Sequence, residues 1–129
     1  MAELIKLKIE QLEKALKSLR EALSEPKTDL VRDAAIQRFE YTFELFWKAT
    51  KMVLEQKGVA TYSPKDCLRE LRNIEIFSDD ETEAALEMAT DRNLSVHTYN
   101  EDFAERLYGR LVRYAEIFEK FLQKLDEQG

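Results

Sequence analysis

The stretch RNLSVHTYN, residues 92–100, contains the single histidine of the chain, His97. Arg92 precedes this histidine by five positions, and Tyr99 follows it by two. A neutral imidazole can accept a proton near pH 7, and an imidazolium can return one. Arginine stays charged and offers a planar fork of donors that fits a phosphate group. The residue types therefore point to proton transfer beside a bound phosphate.

An arginine and a histidine together suit the attack of a ribose 2′-hydroxyl on the adjacent phosphodiester. His97 would handle the proton, and Arg92 would stabilise the charge that develops on the phosphoryl oxygens. No metal is needed, so we predict neither a metal site nor a cofactor. The plainer alternative is a histidine that caps or packs at a helix end and an arginine that is solvated or salt-bridged.

The spacing of the two residues raises a geometric problem. Each residue of a straight helix turns about 100°, so Arg92 and His97 would point about 140° apart. Either the helix distorts between them, or a second chain completes the site. A cap expected at Asn100 puts a helix boundary just after His97, and Asn93 and Ser95 can loosen a helix by bonding to its backbone.

Other constellations give weaker signals. Glu40 and Glu44 lie one helical turn apart, but a di-iron bundle needs two Glu-x-x-His units, and one histidine cannot supply them. A zinc site lacks ligands for the same reason.

An arginine stripe on the last predicted helix would either track an RNA backbone or form a solvated face paired with Glu105 and Glu116. That stripe consists of Arg106, Arg110 and Arg113.

Composition favours a single helical domain over residues 1–129. The chain has only three glycines and two prolines, so little turn chemistry is available for many strands. Cys67 is the only cysteine, which excludes an internal disulfide and favours a reducing, cytoplasmic setting. No window approaches 18 apolar residues, so we expect no membrane association. The net charge of −6 argues against loose nucleic-acid binding but leaves room for a local basic groove.

Apolar spacing and capping residues predict an antiparallel up-and-down bundle of four long helices and one short helix. The second helix is unusual, because its apolar residues cover more than one face. It is either the centre of the bundle or also part of a subunit interface. The predicted helices span about residues 2–24, 29–57, 64–73, 79–94 and 101–125.

The stretches RDAAIQRFEYTFELFWKATKMVLEQKG, SPKDCLREL and DRNLSVHTYNEDFA resemble the nucleotidyltransferase substrate-binding protein family, a branch of the HEPN superfamily. The marker Arg-x4-His-x-Tyr is met by Arg92, His97 and Tyr99. The resemblance implies a two-fold dimer whose protomers both line one cleft with the arginine and histidine. Asn93 matches the polar residue that often follows the arginine.

The resemblance also implies a function. Many HEPN proteins are metal-independent ribonucleases, and the toxin members are silenced when a minimal nucleotidyltransferase (MNT) attaches AMP to the motif tyrosine. That role would fall on Tyr99. We therefore expect a dimeric, cytoplasmic ribonuclease toxin that acts on tRNA or mRNA and is neutralised by a cognate MNT protein.

Two alternatives remain open at the level of the sequence. One is a non-catalytic substrate-binding or adaptor subunit for the nucleotidyltransferase, as the older family name suggests. The other is a purely structural helical dimer, in which Arg92 and His97 are ordinary polar residues.

Overall fold

The computed structural model describes residues 2–97 and 100–128, and all of its regular structure is helical. Five helices follow one another along the described part of the chain. They are α1 (Ala2–Ser24), α2 (Asp29–Gln56), α3 (Pro64–Asn73), α4 (Asp79–His97) and α5 (Glu101–Gln128). The predicted bundle of four long helices and one short helix is confirmed, with boundaries within about three residues of those expected.

The helix ends follow from local chemistry. Thr28 accepts a hydrogen bond from the backbone N–H of Val31 at the start of α2. Ser78 and Glu81 form a capping box at the start of α4: the Ser78 hydroxyl accepts from the Glu81 N–H, and the Glu81 carboxylate accepts from the Ser78 N–H. Gly58 ends α2 with a φ of 82°, a left-handed conformation that glycine adopts without steric cost.

Helix α2 is the centre of the bundle, because it packs against each of the other four helices. A helix at the centre of a bundle is covered on several sides, which explains why α2 has apolar residues on more than one face. Its aromatic side chains build the core with those of α5. The rings of Phe46 and Phe121, for example, meet edge to face with centroids 5.0 Å apart.

Helix α4 differs from the others in how it is buried. Its core-facing apolar residues are mostly small, namely Ala84, Ala85, Met88 and Ala89. Beyond Asp91 none of the described residues of this helix is buried, and Leu94 and Val96 are 45% and 42% exposed. The segment that carries the arginine and histidine therefore extends past the apolar core.

Candidate functional site

Helix α4 runs without interruption through Arg92 to His97. The helix therefore has no break between the two residues, in contrast to the first of the two expected solutions. With regular helical geometry the two side chains leave α4 in directions about 140° apart. A single α4 therefore does not point both side chains at one small site, and completion of the site by another chain stays a prediction.

Arg92 is anchored to the central helix by an ion pair. Its Nη2 donates to Oε2 of Glu44 at 2.8 Å, and the two side chains are 28% and 32% exposed. Lys48, one turn further along α2, lies 3.3 Å from the other carboxylate oxygen of Glu44. The arrangement is half-buried, so the charges are screened less than on an open surface.

A second polar contact joins the same two helices one turn closer to the end of α4. The hydroxyl of Ser95 donates to Oε2 of Glu40 at 2.6 Å. Glu40 and Glu44 are four residues apart on α2, while Ser95 and Arg92 are three apart on α4, so the two pairs face each other across the helix contact. Glu40 and Glu44 thus support the motif, a role that the sequence did not reveal.

Asp91, immediately before Arg92, anchors the opposite side of α4. It is 3% exposed and accepts hydrogen bonds from Arg110 Nη1 at 2.9 Å and from the hydroxyl of Tyr114. The Tyr114 hydroxyl also donates to Glu87 at 3.1 Å. Burial, followed by these two carboxylates, raises the pKa of Tyr114 well above its ordinary value. The tyrosine therefore stays protonated and acts as a donor.

The three arginines of the predicted RNA-binding stripe have different environments. Arg110 is engaged with Asp91, which raises the pKa of the guanidinium. Arg106 lies over the ring of Phe103, with 6.0 Å between the guanidinium carbon and the ring centroid. Arg113 is exposed. Of the three, Arg106 and Arg113 present their charges to solvent.

The remaining candidates lie at the end of α4. His97 is its last residue and is exposed, as is Asn93. Tyr99, the expected acceptor of AMP, lies outside the described residues. Asn100 caps α5 as predicted, since its Oδ1 accepts from the backbone N–H of Phe103 at 2.9 Å.

A small cleft opens beside this segment, between α2, the end of α4 and the start of α5. Its volume is about 190 Å³. Its floor is apolar, and its rim carries carboxylate, amide and hydroxyl groups. The lining residues are Asp33, Ile36, Gln37, Glu40, Ser95, Asn100, Phe103, Ala104 and Leu107.

The described residues lack a metal-ligand cluster and a membrane-spanning helix. No group of three or more His, Cys, Asp or Glu within residues 2–97 and 100–128 is arranged to hold a metal ion. None of the helices in this part of the chain is long and apolar enough to cross a lipid bilayer.

Comparison with known proteins assigns the family. The family described as "nucleotidyltransferase substrate binding protein like" matches residues 7–127. The chain belongs to this nucleotidyltransferase substrate-binding protein family. The resemblance seen in the motif and in the aromatic second helix is thereby confirmed.

A curated relative from Haemophilus influenzae is described as "Probable ribonuclease HepT" and is 32% identical over 88 residues. That match covers 64% of this chain, and the chain spans only 59% of the length of the relative. A crystal structure of a protein from Thermus thermophilus is 46% identical, with a TM-score of 0.83, over 88% of this chain and 98% of that one.

The fold is also similar to that of a solved HEPN toxin. A tri-AMPylated HEPN toxin of Shewanella oneidensis, solved in complex with its MNT antitoxin, superimposes with a TM-score of 0.78. The alignment covers 98% of this chain and 99% of the toxin at 18% identity. At this identity the likeness establishes the all-helical fold alone.

Proposed function

We propose that the protein is a HEPN-type, metal-independent ribonuclease toxin that works as a two-fold dimer in the cytoplasm. Its activity would be neutralised by a cognate MNT nucleotidyltransferase that attaches AMP to Tyr99. The observation that carries the proposal is the anchored Arg92, held by Glu44 at 2.8 Å on a helix that ends at the exposed His97. A relative described as a probable ribonuclease and the similar fold of a HEPN toxin solved with its MNT antitoxin support the same function.

The chemistry assigns one role to each residue. His97 removes the proton of a ribose 2′-hydroxyl, whose oxygen attacks the adjacent phosphorus. The bond from phosphorus to the 5′-oxygen breaks, and that oxygen takes a proton from an imidazolium. The products are a 2′,3′-cyclic phosphate and a 5′-hydroxyl. Arg92 stabilises the negative charge on the phosphoryl oxygens during this step.

Arg92 is suited to this role because not all of its donors are used. Its Nε is buried and has no hydrogen-bond partner among the described residues. That buried N–H is out of reach of a ligand, but Nη1 also makes no hydrogen bond to the described residues, and the partly exposed side chain can offer it to a phosphate. Glu44 meanwhile fixes the direction of the guanidinium.

A second copy of the chain would bring the two motif residues together. Arg92 and His97 diverge by about 140° on the uninterrupted α4, so each could meet its counterpart from the other protomer across a two-fold axis. The exposed Leu94 and Val96 on the same segment provide apolar surface for that contact. Sedimentation should give twice the 15.2 kDa of the single chain, and a monomer alone would exclude the composite site.

Modification of Tyr99 would silence this site by sterics and charge. The hydroxyl oxygen would bond to the α-phosphorus of ATP, and pyrophosphate would leave. Tyr99 is two positions beyond His97 in the sequence, so attached AMP would put a negative phosphate and a bulky base close to the proposed catalytic histidine. Intact mass after incubation with ATP and the cognate MNT protein should rise by whole AMP units, and Tyr99→Phe should prevent this.

The decisive experiment incubates the purified protein, without its partner, with tRNA and total RNA in EDTA. The wild type should leave cyclic-phosphate ends. His97→Ala should cut about 10²- to 10⁴-fold more slowly, as expected for loss of a general acid–base group. His97 is exposed, so its replacement should leave the melting temperature unchanged. A folded His97→Ala protein that cuts at the wild-type rate would remove the proposed role.

The second candidate is a non-catalytic substrate-binding subunit of a nucleotidyltransferase, which the description of the family favours. Expression without the partner separates the two candidates. A toxin should stop growth, and His97→Ala should relieve the arrest. An adaptor should leave growth unaffected in both forms.

A further inference from the structure

The cleft beside the motif has the features of a nucleobase site. It continues directly from the motif, because Ser95 in its wall is three residues, about 4.5 Å along the helix axis, beyond Arg92. Glu40, which Ser95 contacts at the edge of the cleft, is one turn from Glu44, the partner of Arg92. A nucleotide whose phosphate lies at Arg92 would therefore carry its base towards this cleft.

The floor of the cleft suits the face of a flat ring. Ile36, Phe103 and Ala104 are half-buried, and Leu107 is fully buried beneath them. Phe103 offers an aromatic surface, and base stacking on such a surface is tolerant of sequence. The volume of about 190 Å³ accommodates one base and little else. The floor therefore favours binding of a single base.

The rim of the cleft selects for hydrogen-bond donors on the ligand. Oε2 of Glu40 accepts from Ser95, while its Oε1 makes no hydrogen bond to the described residues. Asp33 likewise uses Oδ1 for Arg32, which leaves Oδ2 free of described partners. Carboxylate oxygens accept from the exocyclic amino group of cytosine or adenine. Uracil instead has a single N–H between two carbonyl oxygens, which the carboxylates would repel.

We propose that this cleft binds a nucleobase that carries an exocyclic amino group, supplied by the RNA strand whose phosphate lies at Arg92. Glu40 is the residue that sets this preference, and Phe103 provides the stacking surface. The inference rests on the proposed ribonuclease function and extends it to the recognition of one base beside the cleaved bond.

The test compares oligo(C) with oligo(U), because the two bases have nearly the same shape and differ in the group opposite Glu40. All riboses carry 2′-O-methyl groups, so the strands bind without being cut. Fluorescence anisotropy should show that the wild type binds oligo(C) about tenfold more tightly than oligo(U). Equal affinities for the two strands would overturn the proposal.

Three variants test which residues cause the preference for oligo(C) over oligo(U). Glu40→Gln keeps the shape of the side chain, removes its charge and should erase the difference between the strands. Glu55→Gln, an exposed glutamate on the same helix, is the matched control and should keep it. Ala104→Leu fills the cleft and should weaken the binding of both strands. A folded Glu40→Gln protein that still prefers oligo(C) would also overturn the proposal.

Cleavage of unmodified RNA, measured separately, distinguishes the two levels of inference. A wild type that prefers oligo(C) but cuts no RNA would retain the base site and remove the ribonuclease function. A wild type that cuts RNA but binds oligo(C) and oligo(U) equally would retain the ribonuclease function and remove the base site.

Discussion

Arg92 of α4 and Glu44 of α2 are joined by a hydrogen bond of 2.8 Å across the contact of the two helices. The pair is about 70% buried, so it is neither a freely solvated surface pair nor an isolated charge in the core. Its position makes the orientation of Arg92 depend on a residue 48 positions earlier in the chain.

Replacing Glu44 by Gln should reduce catalysis more than binding. The neutral amide orients the guanidinium less firmly, while phosphate attraction to Arg92 is retained or increased. We expect kcat for RNA cleavage to fall about tenfold, because small errors in position are costly in the transition state. The KM should not rise. The free energy of unfolding should change by less than about 1 kcal/mol, as for other partly exposed pairs.

Steady-state cleavage of a short RNA substrate measures both constants for Glu44→Gln. Glu55→Gln serves as the control, since it makes the same chemical change on an exposed part of α2. A normal kcat combined with a higher KM would show that Glu44 contributes to RNA binding and does not position Arg92.

Tyr114 should be a substantial contributor to stability through its hydroxyl group. The hydroxyl donates to the buried Asp91, and its removal in Tyr114→Phe leaves that carboxylate less well satisfied. We expect a loss of about 1–3 kcal/mol in urea denaturation. Tyr108→Phe is the control, because the hydroxyl of Tyr108 makes no hydrogen bond to the described residues. Equal stability of the two variants would contradict the importance of the Asp91 contact.

Glu105 should make the bundle sensitive to acid. Lys27 and then Arg32, which donate hydrogen bonds to it, hold the pKa of this carboxyl below its ordinary value. A pKa that is lower in the folded state contributes stability above the ordinary glutamate pKa, and this contribution is lost as the pH falls through the folded-state value.

Urea denaturation between pH 7 and about pH 3 follows this contribution, since the ordinary glutamate pKa is about 4.3. The stability difference between the wild type and Glu105→Gln should be largest at neutral pH and should shrink on acidification. Glu116→Gln, an exposed change on the same helix, should show no such trend. A difference that is constant with pH would exclude the ion pairs of Glu105 as its cause.

The arginines of α5 should separate into binding and structural residues. Arg106→Gln and Arg113→Gln should each lower the slope of log affinity for single-stranded RNA against log salt by about 0.7, the value for one phosphate contact. Arg110→Gln should instead destabilise the fold, because it removes a partner of the buried Asp91.

Anisotropy titrations at several salt concentrations measure these slopes, and Lys14→Gln on α1 controls for the change in net charge. If Arg113→Gln behaves like Lys14→Gln, the exposed face of α5 does not contact RNA. If Arg110→Gln alone changes the slope, the ion pair with Asp91 opens when RNA binds.

The amino-acid sequence by itself determined the helices and most of the core. They follow from local signals. These are the apolar residues three and four positions apart in α1 and α5, the caps at Thr28, Ser78 and Asn100, and the glycine after α2. Local signals act within a few residues, so they can be read without knowledge of the fold. The single Arg–His spacing likewise identified the candidate chemistry.

Only the tertiary structure decided what holds the motif in place. In the sequence, Glu40 and Glu44 could be examined only as metal ligands, and they lack the histidine partners for such a site. Their contacts to Ser95 and Arg92 depend on how α2 is aligned against α4. Arg110 was grouped with its helical neighbours but bonds to Asp91 on another helix. Side-chain pairing between helices depends on their relative rotation and shift, which the packing of the whole core sets and a single periodic pattern does not.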